Sequence, residues 1–441
     1  MTPWMVMFLV LLPFTLHAET VDLAQVLKDA VNRRPMALAA RDEALAAASG
    51  MVEARSRLLP NVSLTEKALW TDEPAGSLFI SLNQEDLKLS NSASAYNYPP
   101  SRKDFETRIT LQQPLYDPDA WFGLRLAEAD ARTADAMARW TDDQAAFAAF
   151  RAYLGVQQAQ AAEAWAEAAR REAQEILRLA EQRRAAGLGL KAEALQAQVT
   201  LAEAERHQLA VNNDAVLARR ALALAIGRPE LEVDIGSPLN AAMFTSIPME
   251  SSMQRADLEA LASRAEAANI AHRQSRADWL PRASLAASYA LHDGDRPFGG
   301  EAGAWSLQAG LQWELFDGLR RQGASARTAA QTRAARNRAL EASRQSNFAL
   351  EQARRRAEEA QLQLSSARKA VVQATESRRL TLQRYEAGLS PLVDLLTAQS
   401  LLDRARYAEL SAESGQILAL GDILFQQGRF LSLLADKENQ P

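Results

Sequence analysis

The sequence predicts a mainly α fold, in which long helices pack as rods against similar rods and carry a four-stranded β insert. Three observations lead there. Two proline-free stretches of about 65 residues are built from good helix formers. The chain repeats its own landmarks about 200 residues later. Two segments switch from helical periodicity to strict alternation.

The rods come first. At 1.5 Å rise per residue, helices over Asp119 to Arg184 and Leu319 to Glu386 would each reach about 100 Å, too long for the inside of a globular domain. Their apolar stripes are largely alanine, as in Ala145-Ala146-Phe147-Ala148-Ala149-Phe150. Small side chains let a helix approach neighbours on two sides, which suits a wall of helices better than a leucine zipper.

The repeat comes next. Leu59-Pro60 recurs as Leu280-Pro281, Leu115-Tyr116-Asp117 as Leu315-Phe316-Asp317, and Ala186-Gly187-Leu188 as Ala387-Gly388-Leu389. Internal repetition on this scale means a unit packed beside its own copy. The predicted organisation is a first repeat over 19–226, a linker over 227–250, a second repeat over 251–430 and a flexible tail over 431–441. Each repeat reads as an opening helix (Leu23 to Leu58; Ser251 to Trp279), a β section, the long helix, a Gly-Leu turn and a third helix (Lys191 to Ala225; Pro391 to Leu424). With Pro229, Pro238 and Pro248 and no clear period, the linker is expected to fold against the helices.

Strands are expected at about 61–69, 104–115, 282–291 and 303–316, with loop sequence from Thr71 to Lys103 and from His292 to Ala302. Trp305, Leu307, Ala309, Leu311 and Trp313 alternate with Ser306, Gln308, Gly310 and Gln312, which makes one face apolar and one polar. Phe105, Tyr289, Trp305 and Trp313 are placed as membrane-facing aromatics. Four strands cannot close a barrel, and lipid tolerates no open sheet edge, so closure requires sister copies. Three chains would contribute twelve strands.

Composition excludes several alternatives. With 441 residues, a net charge of -5 and 48% apolar residues, the chain folds and lacks the basic surface that nucleic acid needs. Cysteine is absent, which removes disulfides, thiolate metal sites and a lipid-anchored N-terminus. The four histidines, His17, His207, His272 and His292, share no metal-ligating spacing, so neither a metal nor a cofactor is expected. Asp117, Asp119, Asp142 and Asp143 lack convergent catalytic partners, no phosphate loop or zinc motif occurs, and no enzyme activity is predicted. Residues 1–18 read as a secretory signal cleaved after Ala18, although no Lys or Arg precedes the apolar run. Beyond it no apolar run is long enough for a spanning helix.

Arg384-Tyr385-Glu386-Ala387-Gly388-Leu389-Ser390-Pro391-Leu392-Val393-Asp394 then carries a resemblance. With the twofold repeat, the Leu-Pro and the Tyr/Phe-Asp landmarks, the mature chain resembles the TolC-type outer-membrane efflux proteins. The resemblance implies a homotrimer in the outer membrane of a Gram-negative bacterium, with a twelve-stranded barrel and a twelve-helix periplasmic tunnel. The protomer it implies is an elongated helical-barrel unit whose insert completes a trimeric transmembrane β-barrel. It implies passive conduction, for efflux or type I secretion, from an inner-membrane pump through a periplasmic adaptor. The adaptor-facing tips would be Gly187-Leu188-Gly189-Leu190 and Gly388-Leu389-Ser390-Pro391. Asp394 matches a position near the closed tunnel's constriction. Thr397 stands where many members have a second aspartate, and Glu193 is the counterpart of Asp394 in the first repeat. The competing reading is a soluble periplasmic coiled-coil scaffold, which leaves the aromatic strands without a purpose.

Overall fold

The structure, a computed structural model, describes residues 19–89, 92–244 and 255–431. The predicted signal segment 1–18, the stretch 245–254 and the tail from 432 lie outside the described residues. The elements run in the order β1 (Glu19–Val21), α1 (Leu23–Arg33), α2 (Pro35–Ser56), β2 (Asn61–Thr71), α3 (Pro74–Asn83), α4 (Ser94–Asn97), β3 (Arg102–Tyr116), α5 (Pro118–Ala185) and α6 (Lys191–Ala225). Next come β4 (Val233–Ile235), a 3-10 turn (Ala241–Phe244), α7 (Ala256–Ala277), β5 (Arg282–Asp293), β6 (Ala302–Gln312), α8 (Arg320–Glu386) and α9 (Leu392–Gln427).

Helices α5 and α8 run 68 and 67 residues without a break. Two departures from the expected elements have local causes. The opening helix is two helices, because Pro35 forces Arg34 out of the helical region, to ψ 124°. The segment from Thr71 to Lys103, expected as loop, holds α3 and α4, with Pro74 in the first turn of α3 where a missing N–H costs nothing. The repeated Tyr/Phe-Asp landmark is a helix start. Asp117 Oδ1 accepts from Asp119 N at 3.0 Å, and Asp317 Oδ2 accepts from Arg321 N at 3.0 Å.

The contacts divide the chain into two compact units, one of residues 1–42, 136–259 and 341–441, the other of residues 43–135 and 260–340. The first unit is held by an aromatic cluster. Phe147 stacks on Phe425 at 4.5 Å, and Phe150 meets Phe244 and Phe430 edge-on. Gly421 lets α9 close on this cluster, since a Cβ there would stand 2.6 Å from the Phe150 ring. The described part of the linker, 227–244, packs on the helices, and β4 pairs in parallel with β1. Tyr153 Oη donates to Ser237 O at 2.6 Å, and Gln157 exchanges two hydrogen bonds with the Leu239 backbone. Losing the Tyr153 or Phe150 ring would forfeit about 3–5 kcal/mol.

One buried carboxyl in this unit sets a pH dependence. Burial pushes Asp143 up to about 6, helped by the neighbouring Asp142 and Asp257 charges and opposed by the Leu431 N–H and Arg139. Between an unfolded value near 3.8 and this folded value, the folded state binds the extra proton, so stability falls as pH rises through that window and stays low above it. Asp143→Asn is expected to raise the thermal unfolding temperature at pH 8, by at most about 3 kcal/mol in stability, and to leave it unchanged at pH 4. Equal effects at both pH values would contradict it.

The second unit carries one antiparallel sheet in the order β2-β3-β5-β6. Its register aligns Leu64, Ile109, Tyr289 and Trp305 in one cross-strand row, and Val62, Leu111, Ala287 and Leu307 in the next. The strand read to 316 ends at Gln312, opposite Arg282. Pro281 precedes Arg282 and has no N–H to extend the ladder. Trp313 therefore leaves the sheet, and its indole Nε1 donates to Trp279 O at 3.0 Å.

Candidate functional site

Two surfaces carry the residues singled out by sequence, and each is built within one unit. The first is the sheet. Opposed residues point to the same side, so the rows through Trp305 and Leu307 make one face apolar across all four strands. The other face holds Ser63, Thr65, Lys67, Glu106, Arg108, Ser288, Ser306 and Gln308. The apolar face is uncovered: Trp305 is 77% exposed and Leu64 61%. Tyr289 and Trp313 are exposed as well, while Phe105 is half-buried, edge-on to Trp70 at 5.6 Å. Strands β2 and β6 are edges, each paired on one side within the chain.

The second surface is the pair of helix reversals in the other unit. Gly187 and Gly388 both adopt φ 75°, the left-handed conformation that ends α5 and α8. Past them Leu188 and Leu389 stand 72% and 70% exposed, with Leu190 beside them. Pro391, read as the first residue of its helix, is instead its N-cap with ψ 160°, and Ser390 is half-buried.

The two reversals are tied together by residues of the first repeat. Arg183 Nη1 donates to Tyr385 O at 2.7 Å and Glu386 O at 3.1 Å, and Nη2 to Leu188 O at 3.4 Å. Its guanidinium lies 4.8 Å from the centre of the Tyr385 ring. The last carbonyls of a helix have no partner inside it, and a cation there also suits the helix dipole. Glu193 works at the opposite polarity: Oε2 accepts from Leu190 N at 3.2 Å, and Oε1 from Leu392 N at 3.4 Å. One side chain thus serves the starts of both α6 and α9. Beneath them Ile176, Ala180, Ala197, Leu392 and Leu395 form a small core. Burial, with the Glu193 carboxylate, pushes the Tyr385 phenol up, so it remains a neutral hydroxyl.

Asp394 and Thr397 sit one turn apart on α9, both exposed; Thr397 Oγ1 donates to Val393 O at 2.8 Å. Tyr385 Oη, Ser390 Oγ and Arg183 Nε are buried without a hydrogen-bond partner among the described residues. Native interiors leave few polar atoms so. In sequence Tyr385 stands within the 384–394 motif without a role of its own, and no motif marks Arg183. The available signal was the repeat itself, which puts an arginine four residues before the glycine in both copies, at Arg183 and Arg384.

No group of His, Cys, Asp and Glu among the described residues is arranged to hold a metal ion. No described helix is long and apolar enough to cross a membrane.

Comparison with known proteins agrees with this geometry. The family described as outer membrane efflux protein matches residues 26–228 and 248–422. A membrane protein from Pseudomonas aeruginosa has the same fold, with a TM-score of 0.80, 18% identity, and coverage of 92% of this chain and 93% of that one. So does the CmeC outer membrane channel of Campylobacter jejuni, at 0.79, 16% identity, 92% and 86%. The alkaline protease secretion protein AprF of Pseudomonas aeruginosa is 28% identical over 194 residues; the match spans 42% of this chain and 40% of that relative's length. The chain belongs to the outer membrane efflux protein family, and its place is the outer membrane of a Gram-negative cell.

Proposed function

We propose that this chain is the channel subunit of a tripartite efflux or type I secretion system, acting as a homotrimer that conducts substrate passively. The sheet supports this reading, because an uncovered apolar face between two unpaired edges suits one segment of a barrel wall. Three copies would supply twelve strands, with the apolar rows toward lipid and the polar face toward water. The rods would continue the path through the periplasm. The apolar tips at Leu188, Leu190 and Leu389 would meet a periplasmic adaptor, which connects to an energised pump in the inner membrane. Glu193, Asp394 and Thr397 would form the gate, with Asp394 repeated three times around the axis. The partial similarity to a protease secretion protein supports polypeptide cargo over small molecules.

The test is the mass and conductance of the detergent-purified particle in a planar bilayer. A trimer forming long-lived channels is expected, and a monomer without conductance would defeat the proposal. In the same assay Asp394→Ala is expected to weaken block by divalent cations several-fold, since a ring of carboxylates concentrates cations. Unchanged block and unchanged resting conductance would remove Asp394 from the gate.

A further inference from the structure

Where the sheet gives way to helices, the second unit carries two shallow grooves on either flank of α7. One, of about 350 Å³, is lined by Trp121, Arg125, Asn269 and Arg273. The Arg125 guanidinium lies 4.1 Å above the Trp121 ring, Phe122 meets Trp121 edge-on at 4.8 Å, and Arg273 lies 5.9 Å from the Phe122 centroid. The other groove is lined by Arg276, Trp279, Gln322 and Ser325. Arg321 stacks on Trp279 at 4.2 Å.

Both grooves lie on the apolar side of the sheet. Trp313, which follows directly on the row Trp305, Leu307, Ala309 and Leu311, donates to the Trp279 carbonyl. The polar side at the same level is a separate and larger hollow lined by Gln312, Glu314, Asp119 and Asp278. Arg125, Arg273 and Arg276 are exposed, and no carboxylate lies within ion-pair distance of them among the described residues. Of the two acids lining the first groove, Glu266 is taken by Arg132 at 3.3 Å, and Glu128 remains.

We propose that these grooves bind the phosphate of an anionic phospholipid in the periplasm-facing leaflet of the outer membrane. This rests on the reading of the sheet as a barrel wall, because that reading puts the last apolar row, and hence the grooves, at headgroup level. The chemistry suits the ligand. A planar guanidinium accepts a phosphate bidentately, and stacking on an aromatic ring pre-orders it while leaving its N–H edge free. Tryptophan is the side chain that settles where hydrocarbon meets headgroup. Ser325 and Gln322 add neutral donors for the remaining phosphate oxygens.

Native mass spectrometry of the detergent-solubilised protein provides the test, with short-chain phosphatidylglycerol, phosphatidylcholine of equal chain length, and inorganic phosphate as probes. Phosphatidylglycerol is expected to bind roughly tenfold more tightly than phosphatidylcholine. The triple change Arg125→Ala, Arg273→Ala and Arg276→Ala should abolish that preference, and the distant Arg404→Ala should leave it intact. Equal binding of the two lipids by the unaltered protein would overturn the inference, as would a triple variant that keeps the preference. Displacement of phosphatidylglycerol by inorganic phosphate would overturn the lipid as the source of the anion. Bilayer conductance separates the two levels: a conducting protein without lipid preference defeats only this inference, whereas a non-conducting one defeats the channel itself.

Discussion

Arg183→Ala is expected to raise the open probability of the reconstituted channel at least roughly tenfold while leaving trimer melting unchanged. The reason is the position of its three donor contacts. Two of them, to Tyr385 O and Glu386 O, join the first reversal to the second, so the second cannot swing away while they hold. Hydrogen bonds from a charged donor contribute about 1.5–3 kcal/mol each, less where water competes. Loss of both is worth more than the factor of ten, even after that discount. Most of the small core below it, Ile176, Ala180, Ala197, Leu392 and Leu395, lies away from the substitution, and of its members only Tyr385 loses a partner, the stacked guanidinium. Arg183→Lys separates charge from geometry, because a single ammonium can reach one carbonyl but cannot also stack on Tyr385. An intermediate open probability is expected for it. Wild-type gating in Arg183→Ala would show that the contact is incidental to opening.

That contact also marks the boundary of what one-dimensional pattern conveys. Helix α6 starts and ends where periodicity and the Gly-Leu turn put it, and the four strands begin within two residues of their expected starts. Those features are set locally, by a period of 3.6 or 2 and by glycine at φ 75°. The break before Pro35 and the helix that opens at Pro74 were legible in principle, since both follow from the backbone chemistry of proline. The early end of β6 was not visible in its own segment, where alternation continues through Leu315. It is decided by Pro281, immediately before the partner strand β5 and 31 residues upstream of Gln312. Arg183 and Tyr385 are 202 residues apart in sequence and meet only once four helices are side by side. No spacing rule encodes such a meeting. Glu193 shows the same limit from the other direction. Expected as a gate carboxylate from its match to Asp394, it is seen as acceptor for two helix starts, a role that needs the neighbouring helix to be visible.

The largest expected effect is on assembly. Ile109→Arg is expected to abolish heat-resistant trimers and membrane integration, whereas Thr110→Arg, one residue away, should assemble and change only conductance. Ile109 sits in the inner strand β3, in the row Leu64, Ile109, Tyr289 and Trp305, half-exposed on the uncovered apolar face. An arginine at the bilayer midplane of a barrel costs about 2–4 kcal/mol. Each chain of a trimer would incur that cost within one shared barrel, against a net stability of only about 5–15 kcal/mol per domain. Thr110 faces the other way, beside Ser63 and Ser288, where an added guanidinium stays in water and alters the field along the path. The pair is informative because both residues are β-branched and adjacent at the same level of β3, so the chief difference is the face and the neighbours on it. If both variants assembled equally, the apolar rows would not contact lipid, and the sheet would have to bury that face against protein. Detergent extraction followed by electrophoresis without boiling reads the outcome directly.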